Sequence, residues 1–246
     1  MTNISNIAVE RDFYAIHTEA GISQDIERRL AAIDGEACAA MERIGSGAWP
    51  PNDHDHDIIA NFIALQITRG QDFRELQTEI ANDMMRFAAR AQAAFPEGIR
   101  QILGEEVTDE AISEVTRVLA EGQFTVTPDK SASIVEALTI AANLVQPIGS
   151  MDWALIELPG PGFLTSDAPV RMWRRREGPH DVWGTGVVTA QEISLPLDPQ
   201  RCLLLQPPDY ETPLKDMSIR DAVLTLNMRT ASGAHRYFFS RPAAAA

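Results

Sequence analysis

The sequence predicts an α+β protein, and two observations carry that prediction. Apolar residues recur at steps of three and four as far as about residue 147. After Gly149 the pattern changes to short apolar runs separated by Pro and Gly, which read as strands. Helices gathered in one part of a chain and strands in the other argue for α+β and against an alternating βαβ design. The expected layout is a helical lobe over residues 1–149, helical from about 22 to 147. It packs against a mainly antiparallel, sheet-rich lobe over 150–242, whose strands span about 150–241. Both lobes are expected within one domain of residues 1–242, with a disordered tail at 243–246.

The first helix is marked by Ile22, Ile26, Leu30, Ile33, Ala37, Met41 and Ile44; Ser23 or Asp25 begins it and Gly45 ends it. The segment "GSGAWPPNDHDHD" follows as a loop. A helix over about 57–69 is apolar nearly all round, so it is expected to be buried, with Asp55 or Asp57 as its cap. Beyond Gly70, Phe73, Leu76, Ile80, Met84, Phe87 and Ala91 mark an amphipathic helix whose other face carries Arg74, Gln77, Thr78 and Asn82. Pro96 opens a short helical turn, and a further helix is expected over 108–121. Thr127-Pro128 reads as the start of the next helix, with a core stripe from Ile134 to Val145 and an end at Pro147 and Gly149. The runs "MDWALIEL", "GFLTSD", "VRMW", "EISLPL" and "CLLLQ" read as strands. A helix near 216–230 and a closing strand in "RYFFS" complete the chain.

Of 246 residues, 45% are hydrophobic, enough to bury a sizeable core. The net charge is −14. Residues 151–246 hold 10 Lys+Arg against 11 Asp+Glu, which leaves 11 against 24 for residues 1–150. That acidic first part disfavours general coating of nucleic acid or docking on anionic membranes and suits a protein partner. No apolar run reaches about 18 residues, so no membrane span is expected. The N-terminus lacks a basic segment followed by an apolar one, and Cys38 and Cys202 show no paired spacing. The expected location is the cytoplasm.

Within "NDHDHD" at 52–57, five neighbouring residues cannot all converge on one ion, and helix capping is the simpler reading. No metal and no cofactor is assigned. Gln66 and Arg69 continue the stripe of Ile59, Phe62 and Ile63 by helical steps, so two polar side chains fall on positions that the periodicity assigns to the interior. A buried guanidinium needs an anion. Asp167, where "GFLTSDAPV" leaves the sheet, is the natural complement, and Ser166 beside it can accept from the following turn. Trp173, beside the basic run Arg171, Arg174, Arg175 and Arg176, is placed to pack in the core or to stack a planar ligand.

The segments "DFYAI" (12–16), "IERRLAAIDGEACAAMERI" (26–44), "IIANFIALQITRGQDFREL" (58–76), "GFLTSDAPV" (162–170), "EISLPLDPQRCLLL" (192–205) and "LTLNMRTASGAHRYFFS" (224–240) stand in this order. Together they resemble the bacterial family catalogued as Domain of Unknown Function 4238. The resemblance implies that Gln66, Arg69, Ser166, Asp167, Pro169, Pro196, Pro199 and Asn227 match the family pattern. Two departures stand out. The family's His-x-x-Pro segment has no counterpart here, and its usual Asn after the Thr-Ser-Asp is Ala168.

Two functions are expected from these residues. One is a hydrolase acting on a phosphodiester or nucleotide-like small-molecule substrate. There Arg69 would stabilise developing negative charge, Asp167 would orient a water or metal, and Gln66, Ser166 and Asn227 would hold the substrate. The other is a non-catalytic ligand-binding or protein-interaction module in which Arg69 and Asp167 form a structural clamp and the acidic helical lobe meets a partner.

Overall fold

The computed structural model describes residues 16–18, 21–104, 106–176, 178 and 184–240. Most of "DFYAI", Trp183 and the expected tail at 243–246 lie outside them. The element order is β1 (Ile16–Thr18), β2 (Gly21–Ser23), α1 (Asp25–Gly45), α2 (Asp53–Arg69), α3 (Gln71–Ala93), α4 (Pro96–Leu103), α5 (Asp109–Glu121) and α6 (Lys130–Gly149). There follow β3 (Asp152–Glu157), β4 (Thr165–Ser166), β5 (Arg171–Trp173), β6 (Glu192–Asp198), β7 (Arg201–Gln206), a 3-10 turn (Pro213–Asp216), α7 (Ile219–Ser232) and β8 (Phe238–Phe239). The chain is α+β, with its helices gathered toward the N-terminus and an antiparallel four-stranded sheet toward the C-terminus.

The chain forms two compact units, one of residues up to Gly70 together with those from Val135 onward, the other of Gln71–Ile134. The division falls at Gly70 and Val135, whereas the sequence pattern placed it at 149. The reason lies in the core: α1, α2 and the later part of α6 share it with the sheet.

In the α+β unit the sheet order is β3-β7-β6-β5, all antiparallel. Successive side chains of a strand point to opposite faces. Leu203 and Leu205 of β7, with Ile193 and Leu195 of β6, meet Leu30, Ile44, Ile59, Ile63, Ala141 and Ile148. Cys202 and Leu204 point the other way, to Phe163, Leu214, Ala222 and Leu226. The sheet is therefore covered on both faces, by α1, α2 and α6 on one and by α7 on the other. Burial pushes the Cys202 thiol up to about 12. By length and composition α6 is apolar enough to cross a membrane; here its Ala141 and Ile148 belong to the core.

Local signals explain the helix ends. Asn52, not Asp55 or Asp57, caps α2 by accepting from the Asp55 N–H at 3.0 Å, so the helix starts four residues earlier than the pattern suggested. Thr108 caps α5, and Gly122 ends it in the left-handed region at φ 63°. Helix α6 starts at Lys130, past Pro128, with the Asp129 side chain accepting from the Ala132 N–H at 2.9 Å. Pro147 lies inside this helix, which ends at Gly149.

The helical unit, by itself, packs α3 on α5 and α4. Its largest departure from expectation is the orientation of α3. Asn82, on the polar face, is buried: its amide nitrogen donates to the Val126 and Thr78 carbonyls at 3.1 and 2.7 Å, and its oxygen accepts from the Val126 N–H at 2.7 Å. Gln77 donates to the Ser133 carbonyl at 3.3 Å. The apolar stripe faces outward, with Met84 69% and Phe87 76% exposed and Leu76 and Ile80 also exposed. The polar side chains satisfy the backbone of the segment after α5, and that need turns the apolar face away. Asn82→Ala is therefore expected to lower stability by about 1–3 kcal/mol, whereas Met84→Ser stays within about 0.5 kcal/mol of wild type. Urea denaturation of both variants checks this.

Candidate functional site

Arg69 sits in the last turn of α2. The buried positions of that helix are Asp55, Ile59, Ala60, Ile63, Ala64, Leu65 and Thr68, which leaves Gln66 and Arg69 half-buried on the flank. There Arg69 donates to the Asp34 carboxylate of α1 at 3.0 Å and to the Gln66 oxygen at 3.4 Å, and its guanidinium lies 5.7 Å from the Phe62 ring centre. Nearer the connecting loop, Arg43 of α1 grips Asp55 of α2 with two bonds of 2.8 and 2.5 Å. Two ion pairs thus fasten α1 to α2. Arg69 does not meet Asp167, contrary to expectation, because Asp34 is the nearer anion on the packed neighbour helix.

Asp167 has a different set of partners. Its carboxylate accepts from the backbone N–H groups of His235, Arg236 and Tyr237 at 3.0, 2.8 and 3.1 Å, while its own N–H donates to the Tyr237 carbonyl at 3.1 Å. It fixes the turn after α7 so that β8 can pair with β4. Ser166, buried beside it, closes a local turn with Ala168 through bonds of 2.9 and 3.2 Å. Asn227 of α7 holds the other flank: its oxygen accepts from the Leu164 N–H at 2.9 Å and its nitrogen donates to the Gly162 carbonyl at 2.7 Å. Ser166, Asp167 and Asn227 are therefore brought together around one corner of the fold, each bonded to main chain. Gln66 and Arg69 are held in a separate set.

A third constellation escaped the sequence reading. Glu192, 1% exposed at the start of β6, accepts from the Thr212 hydroxyl at 2.5 Å and from the Arg229 guanidinium of α7. That guanidinium lies 4.1 Å over the Trp173 ring centre, so the aromatic face stacks a side chain of this chain. Trp173 and Glu192 are register partners on β5 and β6, which puts them on one face of the sheet. Burial, and then the Glu192 charge, raise the Tyr210 hydroxyl above its ordinary range. The available signal was period two: Glu192 and Ser194 alternate with Ile193 and Leu195 and so mark a polar row facing α7. Both carboxylate oxygens of Glu192 are engaged, so it anchors α7 to the sheet and is not a free base.

Asp55, Asn52 and Arg43 account for "NDHDHD". Among the described residues no group of three His, Cys, Asp or Glu side chains is arranged to hold a metal. His56 packs on Trp153, ring centres 4.1 Å apart.

Removing one member of a buried ion pair strands the other. Arg229→Ala is expected to cost about 3–5 kcal/mol, and Glu192→Leu/Arg229→Leu less than that single change, both read by equilibrium denaturation. The Arg43 hydrogen bonds hold the Asp55 carboxyl below the usual carboxylate range. A folded value below the unfolded one gives stability that is full above about pH 4 and is lost as pH falls through the folded value. The stability gap between wild type and Asp55→Asn is therefore expected to narrow below about pH 4, as urea midpoints across pH will report.

Comparison with curated proteins finds no match, and comparison with solved structures finds none. The family model described as "Protein of unknown function (DUF4238)" matches residues 1–244, nearly the whole chain. The chain belongs to the DUF4238 family.

Proposed function

We propose that this chain is a non-catalytic protein-interaction module whose contact surface is the outward face of α3. The observation that carries this reading is the inversion of that helix. Leu76, Ile80, Met84 and Phe87 lie within an arc of about 80° at 100° per residue and are all exposed, while Asn82 on the far side is buried. A contiguous apolar strip on a stable helix is costly to leave in water and marks a contact site. The flanking acids Asp72, Glu79 and Asp83 keep it soluble and add a charge pattern that a partner can read.

The polar residues support the same reading. A hydrolytic centre at Arg69 and Asp167 requires both groups to face one ligand. Arg69 instead joins α1 to α2, and Asp167 is occupied by three main-chain amides. These are clamp geometries, and they describe a rigid carrier for a contact surface.

A photo-crosslinking amino acid at position 84, introduced in the native host, tests the proposal. The expected result is a discrete adduct of higher mass that disappears when Ile80→Asp is added, with no adduct from a probe at the exposed polar position 110. Absence of any mass change at position 84 would overturn it.

A further inference from the structure

We infer that the surface presented by α3 is occupied by a second copy of this chain, the two α3 helices running antiparallel across a two-fold axis near residue 82. This rests on the interaction reading above and goes further by naming the partner.

The first support is the symmetry of the apolar strip. Among the large exposed residues of the strip, Leu76 and Phe87 stand outermost and Ile80 and Met84 inside them; the first pair is centred between positions 81 and 82 and the second on 82. An antiparallel pairing about that centre lays Leu76 against Phe87 of the partner subunit and Ile80 against Met84 of the partner subunit. Apolar side chain meets apolar side chain at both positions, as a two-fold interface requires of one patch meeting itself.

The second support is charge. One edge of the strip carries Asp72, Glu75 and Glu79 in its first half, Asp83 at its centre, and Arg86 and Arg90 in its second. In an antiparallel pair this edge meets its own copy. About a centre between positions 82 and 83, within one residue of that of the apolar pairs, Glu75 falls opposite Arg90 of the partner subunit and Glu79 opposite Arg86 of the partner subunit. A parallel pair would set this edge against the side bearing Gln77 and Ala81, where no such pairing exists. Both arginine side chains run beside Gly122 at the end of α5, and the contact of Arg86 to Asp83 in its own chain is an exposed one at 3.5 Å. Opposite charges in register on both flanks of a two-fold axis select antiparallel self-pairing over other arrangements.

Sedimentation velocity on the purified full chain, over a concentration series, tests this. The expected species has twice the 27.1 kDa chain mass. Ile80→Asp is expected to leave only the single-chain species with an unchanged helical circular-dichroism spectrum. Glu75→Lys and Arg90→Glu are each expected to weaken the dimer about tenfold or more, and the double change Glu75→Lys/Arg90→Glu to restore it, since it re-forms both pairs with signs reversed. A wild-type protein that stays single at every concentration overturns the inference. So does a dimer indifferent to Ile80→Asp, or a double variant as weak as the single ones. A single-chain wild type together with an in-cell adduct to a different protein ends this inference and leaves the interaction module standing. A single-chain wild type with no adduct ends both.

Discussion

The α+β unit depends on a pair of central strands that are buried on both sides. β6 and β7 alternate their side chains between two cores, so Leu203 and Leu205 bind the early helices while Cys202 and Leu204 bind α7. Each buried leucine contributes roughly 1.5–3 kcal/mol relative to exposure. No neighbouring element can be repositioned without opening one of the two cores. The polar side chains then act as fasteners at the margins of this double core. Arg43–Asp55 and Arg69–Asp34 join α1 to α2, Glu192–Arg229 joins α7 to β6, Asp167 holds the segment that leaves α7, and Asn227 ties α7 to the segment that enters β4.

Much of this was legible in the residues, because the period of the apolar pattern follows directly from backbone geometry. α1, α5, α7 and the strands β3, β6 and β7 fall where the steps of three and four, or the short runs between Pro and Gly, put them. Ser166, Asp167 and Asn227 were singled out on type and place, and the structure gathers them at one corner. Ser166 closes the following turn with Ala168, as its place suggests; the partners of Asp167 and Asn227 were not legible, since those are main-chain groups about 63 to 70 residues away. Arg69 departs from the pattern for a related reason. The large apolar side chains point the stripe through Phe62, whereas the buried side of α2 runs through Ala60, Ala64 and Thr68, small residues that carry little weight in a hydropathy pattern.

α3 marks the limit of pattern reading. Periodicity reports that a helix has two unlike faces, and it does not say which of them the chain itself will cover. Asn82 decided the matter through three hydrogen bonds to Val126 and Thr78. A buried amide satisfied on both its oxygen and its nitrogen can outweigh exposed apolar surface locally, because leaving either atom unpaired costs about 1–3 kcal/mol.

The discontinuous α+β unit also bears on how the chain acquires its shape during synthesis. Ile59 and Ile63 are made early, yet their companions Ile193, Leu203 and Leu205 belong to the last quarter of the chain. The helices of Gln71–Ile134, by contrast, are joined through contacts close in sequence, and local contacts form quickly. Once they have condensed, the ends at Gly70 and Val135 are tethered by a structured body and not by a long free coil, which lowers the entropy of closing the larger core. A ribosome-bound nascent chain that stops before β6 would therefore hold a finished middle between two unfinished flanks.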